Sequence, residues 1–244
     1  ADERARTLRR FGDAVKKTVL VSGARAAATV ARDGSFMIVM AEVAPAGRLP
    51  LFDAERASLK SLTLNAEIQT PKSGNRWATM PMEFHYLAPN RYRTTIKTGG
   101  LEGDLIIVAD GEFLWEYATK KREVKLADFD TVVAKIRRVG PWDLLTVLAT
   151  PNLRLTELFD EVSATVEANG EYILEIKPKI AVTTYESIRL RTSADGRIPL
   201  FAEAFKGGKI IARVNFKEYL RDAVQDTALF TFEVPEGVRV REME

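Results

Sequence analysis

The 244-residue chain has no cysteine and a single histidine, His85. The missing cysteines exclude disulfide bonds, thiolate nucleophiles and cysteine-ligated zinc. One histidine leaves little to build a transition-metal site from, and a Ser-His-Asp arrangement would have to use that one ring. Charge of one sign is also lacking: 36 basic residues stand against 34 acidic ones, a net charge of +2, too even for a nucleic-acid footprint. No apolar run approaches the roughly 18–20 residues of a membrane-spanning helix. Residues 1–18 carry charges throughout and contain no apolar segment of the secretory kind. No internal repeat or low-complexity tract is visible. A chain near this length buries roughly 70–75% of its unfolded surface and needs no covalent staple.

What is present reads as β structure with a helical start. Residues 2–17 have the spacing of an amphipathic helix, with Leu8, Phe11 and Val15 on one side, and the basic residues near the start fit a solvated helix face better than a lipid contact. Ala24 to Ala31 looks helical, and Asp33-Gly34 offers a turn into an apolar strand at 36–39. Residues 52–62 read as a second short helix, with Asp53 as a candidate N-cap. From Leu64 onward the period is mostly two. Met80, Met82, Phe84 and Tyr86 form one row; Tyr92, Thr94 and Ile96 form another. Asp110-Gly111 separates Leu105-Ile-Ile-Val-Ala from a strand carrying Phe113, Trp115 and Tyr117 on one side, which predicts a two-residue hairpin turn. Further strands are expected at 123–127, 172–176, 187–191, 200–205, 210–216 and 229–234. Short strands at this spacing give a meander, a curved sheet or a barrel.

One interruption breaks the β pattern. Val132, Ile136 and Val139 have helical spacing, and after Pro141 the residues Trp142, Leu145 and Leu148 do so again until Pro151. Two short helices inserted in an antiparallel sheet need an apolar surface to cover, and the concave side of the sheet is the natural one. The aromatic rows then have two readings. Three large rings on one face usually fill a core, but they can also line a cavity for an apolar ligand. His85 alternates with Phe84 and Tyr86 and is expected on the other side, as an ordinary surface histidine. Asp128, Asp130, Asp160 and Glu161 read as helix caps or solvated loop residues, not as paired catalytic carboxylates.

Two blocks carry a resemblance: Val108-Ala-Asp-Gly-Glu-Phe-Leu-Trp-Glu-Tyr117, and the closing Phe230-Thr-Phe232-Glu-Val-Pro235-Glu-Gly237-Val238. With Ala88-Pro89-Asn90 and the Pro-Trp-Asp-Leu-Leu helix between them, residues 52–240 resemble the LolA-like periplasmic lipoprotein carriers and the wider superfamily of outer-membrane lipoprotein-sorting proteins. The resemblance implies an α+β, mainly antiparallel fold: a curved, incomplete β-barrel with short helices covering its concave hydrophobic side. It implies a half-barrel domain over 51–244 with lid helices at about 129–149; residues 1–50 exceed the family pattern and are expected to form an N-terminal extension packed on the same domain, an extra helix or hairpin or a partner surface. It implies a hydrophobic cavity for the acyl chains of a lipid or lipoprotein, lined by Met80, Met82, Phe84, Tyr86, Tyr92, Ile96, Phe113, Trp115, Tyr117, Trp142, Leu145 and Leu148. In such carriers an arginine commonly precedes the Pro-Asn and tethers the lid; here that position is Ala88, and Arg91 and Arg93 are the nearby candidates for polar lid or partner contacts.

The same resemblance implies a monomer in the periplasm, with its signal peptide removed, serving an inner-membrane donor complex and an outer-membrane acceptor. It implies no enzyme activity, no cofactor, no metal and no nucleic acid. The superfamily also holds stress sensors of the RseB type and receptors of the LolB type, so an envelope lipid-sensing or regulatory binding module is the alternative function on this scaffold.

Overall fold

The structure is a computed structural model describing residues 25–30, 36–41, 47–73, 76–100, 103–139, 153–180, 184–223 and 225–243, with backbone alone for 25–41 and 136–139. The expected helix over 2–17 and the second lid helix, with Trp142, Leu145 and Leu148, lie outside the described residues.

Strands β1 (Arg25–Val30) and β2 (Phe36–Ala41) pair antiparallel as a separate two-stranded sheet. Residues 25–30 are therefore a strand, where their alanines had suggested a helix; alanine's helix preference is worth less than about 1 kcal/mol per residue, and strand pairing overrides it. Helix α1 (Arg48–Ala57) follows. It starts earlier than the expected 52 and puts Asp53 in its interior, so Asp53 does not cap it.

The main sheet has twelve strands: β3 (Ser61–Lys72), β4 (Arg76–Leu87), β5 (Arg91–Ile96), β6 (Leu105–Asp110), β7 (Phe113–Ala118), β8 (Glu123–Asp128), β9 (Phe159–Val166), β10 (Tyr172–Pro178), β11 (Ser187–Thr192), β12 (Pro199–Lys206), β13 (Lys209–Arg221) and β14 (Arg239–Glu242). Their order is β14-β8-β7-β6-β5-β4-β3-β13-β12-β11-β10-β9. Two antiparallel meanders, β4 to β8 and β9 to β13, are joined by β3, which pairs with β4 on one side and β13 on the other. β14 is the exception and lies parallel to β8. The end strands β9 and β14 do not pair with each other, so the sheet stays open. Register shifts in the β10–β9, β11–β12, β12–β13 and β13–β3 ladders bend the second meander, because an unpaired extra residue adds local twist. This is the curved, unclosed, mainly antiparallel architecture the sequence implied.

Among the described residues three short helices accompany the sheet: α1, α2 (Phe129–Val139) and α3 (Leu155–Leu158). The core lies between the first and third of these and the concave face. Leu49 and Phe52 of α1 and Leu155 and Leu158 of α3 close over Leu64, Phe84, Leu174, Ile176, Ile188 and Leu190, all buried.

Two local expectations shift. The turn after Ala109 is centred one residue later than Asp110-Gly111, because Ala109 pairs with Leu114 and leaves Gly111-Glu112 at the tip. Gly111 supplies the positive φ of 108°, and the Asp110 carboxylate accepts hydrogen bonds from the N–H groups of Glu112 (2.9 Å) and Phe113 (2.8 Å). The expected strand over 229–234 is instead a 3-10 turn, Thr227–Phe230, capped by Asp226, and then extended chain with no ladder partner.

Candidate functional site

Register decides which side chains share a face, since directly paired residues in an antiparallel ladder point the same way. Tyr86, Tyr92, Ala109, Leu114 and Ala127 form one continuous row across β4 to β8, and Phe84, Thr94, Ile107, Glu116 and Lys125 form the next. Both rows face the concave side. Met82, Phe84 and Tyr86 are buried there, with Ile96, while Met80 and Tyr92 pack against them half-buried. Phe84 and Tyr92 lie with ring centroids 6.0 Å apart. The Tyr86 hydroxyl donates to the Pro89 carbonyl (3.1 Å), and burial pushes its pKa up.

Phe113, Trp115 and Tyr117 belong to the other set. Trp115 pairs with Val108, and Val108 with Arg93 and His85 in turn, so the aromatic row of β7 is on the convex face. The expectation that these rings share a cavity with Met82, Phe84 and Tyr86 is thus corrected: the sheet itself separates the two sets. What covers them is the chain after β13. Phe232 stacks on Trp115 at 5.4 Å and meets Tyr117 edge-on at 6.0 Å, and Phe230 is buried nearby. The Trp115 indole N–H donates to Asp110 (2.9 Å). Burial raises the Asp110 pKa, but the three hydrogen bonds from Phe113, Trp115 and Glu112 outweigh it and hold the carboxyl below its ordinary value.

Arg91 and Arg93 are on this convex face too. Arg91 donates to the Asp110 carbonyl (3.2 Å), and Arg93 to the Leu229 carbonyl (3.3 Å). Both contacts are away from the helices of the concave side; Arg93 holds the C-terminal segment instead. His85 is beside it, its Nε2 2.9 Å from Glu83 and its Nδ1 3.1 Å from Gln225.

The concave side contains two sites of a different character. The first is ionic. Arg56 of α1, 3% exposed, contacts Asp53 (3.3 Å) and donates to the Leu153 carbonyl (3.1 Å). Burial pulls the guanidinium pKa down, and Asp53 opposes that. The Asp53 carboxylate also accepts from the N–H groups of Leu155 (2.7 Å) and Thr156 (2.8 Å) and from the Thr156 hydroxyl (2.7 Å), so it caps α3. Glu161 of β9 accepts from Leu49 N–H (2.7 Å) and so holds the start of α1. Glu55 pairs with Arg221 and, at 3.6 Å, with Arg197. Every charge here has a partner within the chain, which makes this cluster a clasp between α1, α3 and the sheet.

The second is a cavity of about 700 Å3 beneath α2, at the β7–β8–β14 end. Its floor holds Leu114, Glu116, Lys125 and Ala127; its roof holds Thr131, Val132 and Lys135; the C-terminal end adds Arg241, Glu242 and Met243. Asp128 caps α2 through Thr131 N–H (2.7 Å). Phe129 anchors the helix on Ala109 and Leu114 and meets Tyr92 edge-on at 6.2 Å, with Val132 and Val133 beside it. α2 thus rests on a small apolar cluster, with Val132 and Val133 also against the main core, while α1 and α3 are fixed by the main core and the clasp. Of the described residues expected to line a cavity, none lines this one. The signal that could have found it is the even-numbered set of β7, Leu114 and Glu116, next to the row that was chosen.

Among the described residues no group of three or more Asp, Glu or His is arranged to hold a metal ion, and no helix is long and apolar enough to cross a membrane.

No protein-family model and no curated protein matches the chain. Solved structures do. An uncharacterised conserved protein from Thermus thermophilus aligns over 79% of this chain and 96% of its own, with a TM-score of 0.51 and 11% identity, and so has a similar fold. A LolA superfamily protein from Nitrosomonas europaea aligns over 76% and 96% (TM-score 0.41, 12% identity). A putative outer membrane lipoprotein-sorting protein domain from Vibrio parahaemolyticus aligns over 75% and 94% (TM-score 0.42, 11% identity).

Proposed function

We propose that the protein is a non-enzymatic carrier that holds an acyl chain between α2 and the concave face of the sheet. The observation that carries this reading is the cavity of about 700 Å3 beneath α2, within the roughly 300–1,000 Å3 typical of small-molecule sites. Leu114, Ala127 and Val132 give it an apolar wall. The helix above it is anchored by the small Phe129 cluster, and its Val132 and Val133 also touch the main core. Each methylene transferred from water contributes about 0.8 kcal/mol, so a twelve-carbon chain supplies on the order of 8 kcal/mol before the costs of association. The sequence resemblance to LolA-like carriers supports a periplasmic setting, with lipid or lipoprotein acyl chains as cargo and membrane-bound donor and acceptor partners. The test is to purify the protein from cells, extract it, and identify acyl lipid by mass spectrometry, with dodecanoate titration of the stripped protein in parallel. Co-purifying lipid and saturable binding are expected. No lipid and no dodecanoate binding would overturn the proposal.

A further inference from the structure

We infer that the α2 cavity takes a single acyl chain, so that its cargo is a one-chain amphiphile such as a fatty acid or a lysophospholipid, and lipids with two or three chains are excluded. This rests on the carrier reading above and narrows its cargo. The charges of the lining do not select a head group: Glu116 and Glu242 stand beside Lys125, Lys135 and Arg241, and Lys125 is already paired with Glu116 at 2.5 Å. Selection comes from the room for hydrocarbon. A methylene fills about as much space as a molecule of liquid water, roughly 30 Å3. One sixteen-carbon chain then needs about 480 Å3, and two need about 960 Å3. The cavity of about 700 Å3 holds the first and not the second.

The walls resist enlargement. The floor is the sheet itself, with Leu114 and Ala127 buried in it. Towards the main core, Phe129 packs on Ala109 and Leu114, and Val132 and Val133 of α2 touch both this small cluster and the main core. Lifting α2 far enough for a second chain breaks both sets of contacts. Beyond them the concave face is closed by α1 and α3, where Leu49, Phe52, Leu155, Ile176, Ile188 and Leu190 are each at most 1% exposed. A two-chain lipid that inserted one chain would leave the other in water. Each methylene stranded in this way forfeits about fourfold in affinity relative to a buried one.

The experiment offers the delipidated protein vesicles of palmitoyl-oleoylphosphatidylcholine that contain a minor share of palmitoyl-lysophosphatidylcholine, which has the same head group and one chain. The protein is recovered by gel filtration, and native mass spectrometry counts the lipids it carries. One lysolipid per protein is expected, with the two-chain lipid absent despite its excess. Two variants tie this to the cavity: Ala127→Phe fills it from the floor, and Thr131→Phe from an exposed position on α2. Wild type and variants are also offered eight- and sixteen-carbon lysophosphatidylcholines together, below their micelle concentrations. Each variant is expected to lower the ratio of bound sixteen-carbon to eight-carbon chain by about tenfold, the loss of roughly two buried methylenes. The two-chain lipid bound one per protein overturns the single-chain assignment and leaves the carrier reading standing. A chain-length ratio unchanged in both variants overturns the assignment to this cavity. Uptake of neither lipid overturns the carrier reading itself.

Discussion

Replacing Phe232 by alanine separates the two faces of the sheet experimentally. Its ring stacks on Trp115 at 5.4 Å and meets Tyr117 at 6.0 Å, and the side chain stays partly exposed. Each aromatic pair contributes about 0.5–1.5 kcal/mol beyond area. A fully buried phenylalanine cut to alanine costs about 3–5 kcal/mol, so a partly exposed one with two ring contacts is expected to cost about 2–3 kcal/mol. For a chain of this size that lowers the melting temperature by about 4–10 °C. Urea unfolding followed by circular dichroism measures the loss, and dodecanoate titration of the same variant measures binding. The convex placement predicts a clear loss of stability with dodecanoate affinity unchanged within about twofold. An affinity loss of about tenfold or more with stability intact would refute the two-face reasoning.

Three further outcomes follow from the same geometry. Asp53→Ala removes three hydrogen bonds from α3 and leaves Arg56 buried without its carboxylate, so urea unfolding should show a loss of about 3–5 kcal/mol, partly restored in the Asp53→Ala, Arg56→Met pair. Burial pushes the Tyr219 phenol up to about 12. Its folded pKa exceeds the ordinary value near 10, so its contribution is complete below about pH 10 and falls away between about 10 and 12; Tyr219→Phe should flatten the alkaline limb of stability against pH. Asp110 is held below its ordinary value, so its contribution is present above about pH 4 and is lost as pH falls through the lowered folded pKa; Asp110→Asn should remove that part of the acid limb in urea titrations at stepped pH.

The period of two in the sequence placed Met82, Phe84 and Tyr86 on one buried face, and put His85 on the other. It also grouped Phe113, Trp115 and Tyr117 correctly as neighbours on a single side. Which side could not be read from alternation, because β6 and β7 carry apolar residues on both. Val108 and Ala109 are consecutive and both fully buried, one under the C-terminal segment and one under α2. A sheet covered on both faces loses the contrast between inside and outside that alternation depends on. The register through β5 resolves it, since Arg93 and His85 share the Trp115 face.

Strand β9 was missed for a related reason. Asp160 and Glu161 looked like cap or loop residues, and the register shift opposite Ile176 breaks the alternation between Phe159 and Ala164. Glu161 does cap a helix, but from a strand and 112 residues from Leu49 in sequence. Asp53 likewise caps α3 across 102 residues instead of its own helix. Local pattern identifies residues suited to capping; only the fold supplies the partner. The cavity is illegible in the sequence for the same reason, because Glu116, Lys125, Lys135 and Arg241 come together only through the β7–β8–β14 ladder and the helix above it.

The most direct measurement uses brominated dodecanoate as a quencher of single-tryptophan variants. With Trp77 and Trp142 replaced by phenylalanine, Trp115 reports the convex face; adding Leu114→Trp and Trp115→Phe moves the reporter to the concave floor. Saturable quenching at position 114 and little at 115 is the predicted result. Strong quenching at 115 with none at 114 would contradict it and return the ligand to the aromatic face.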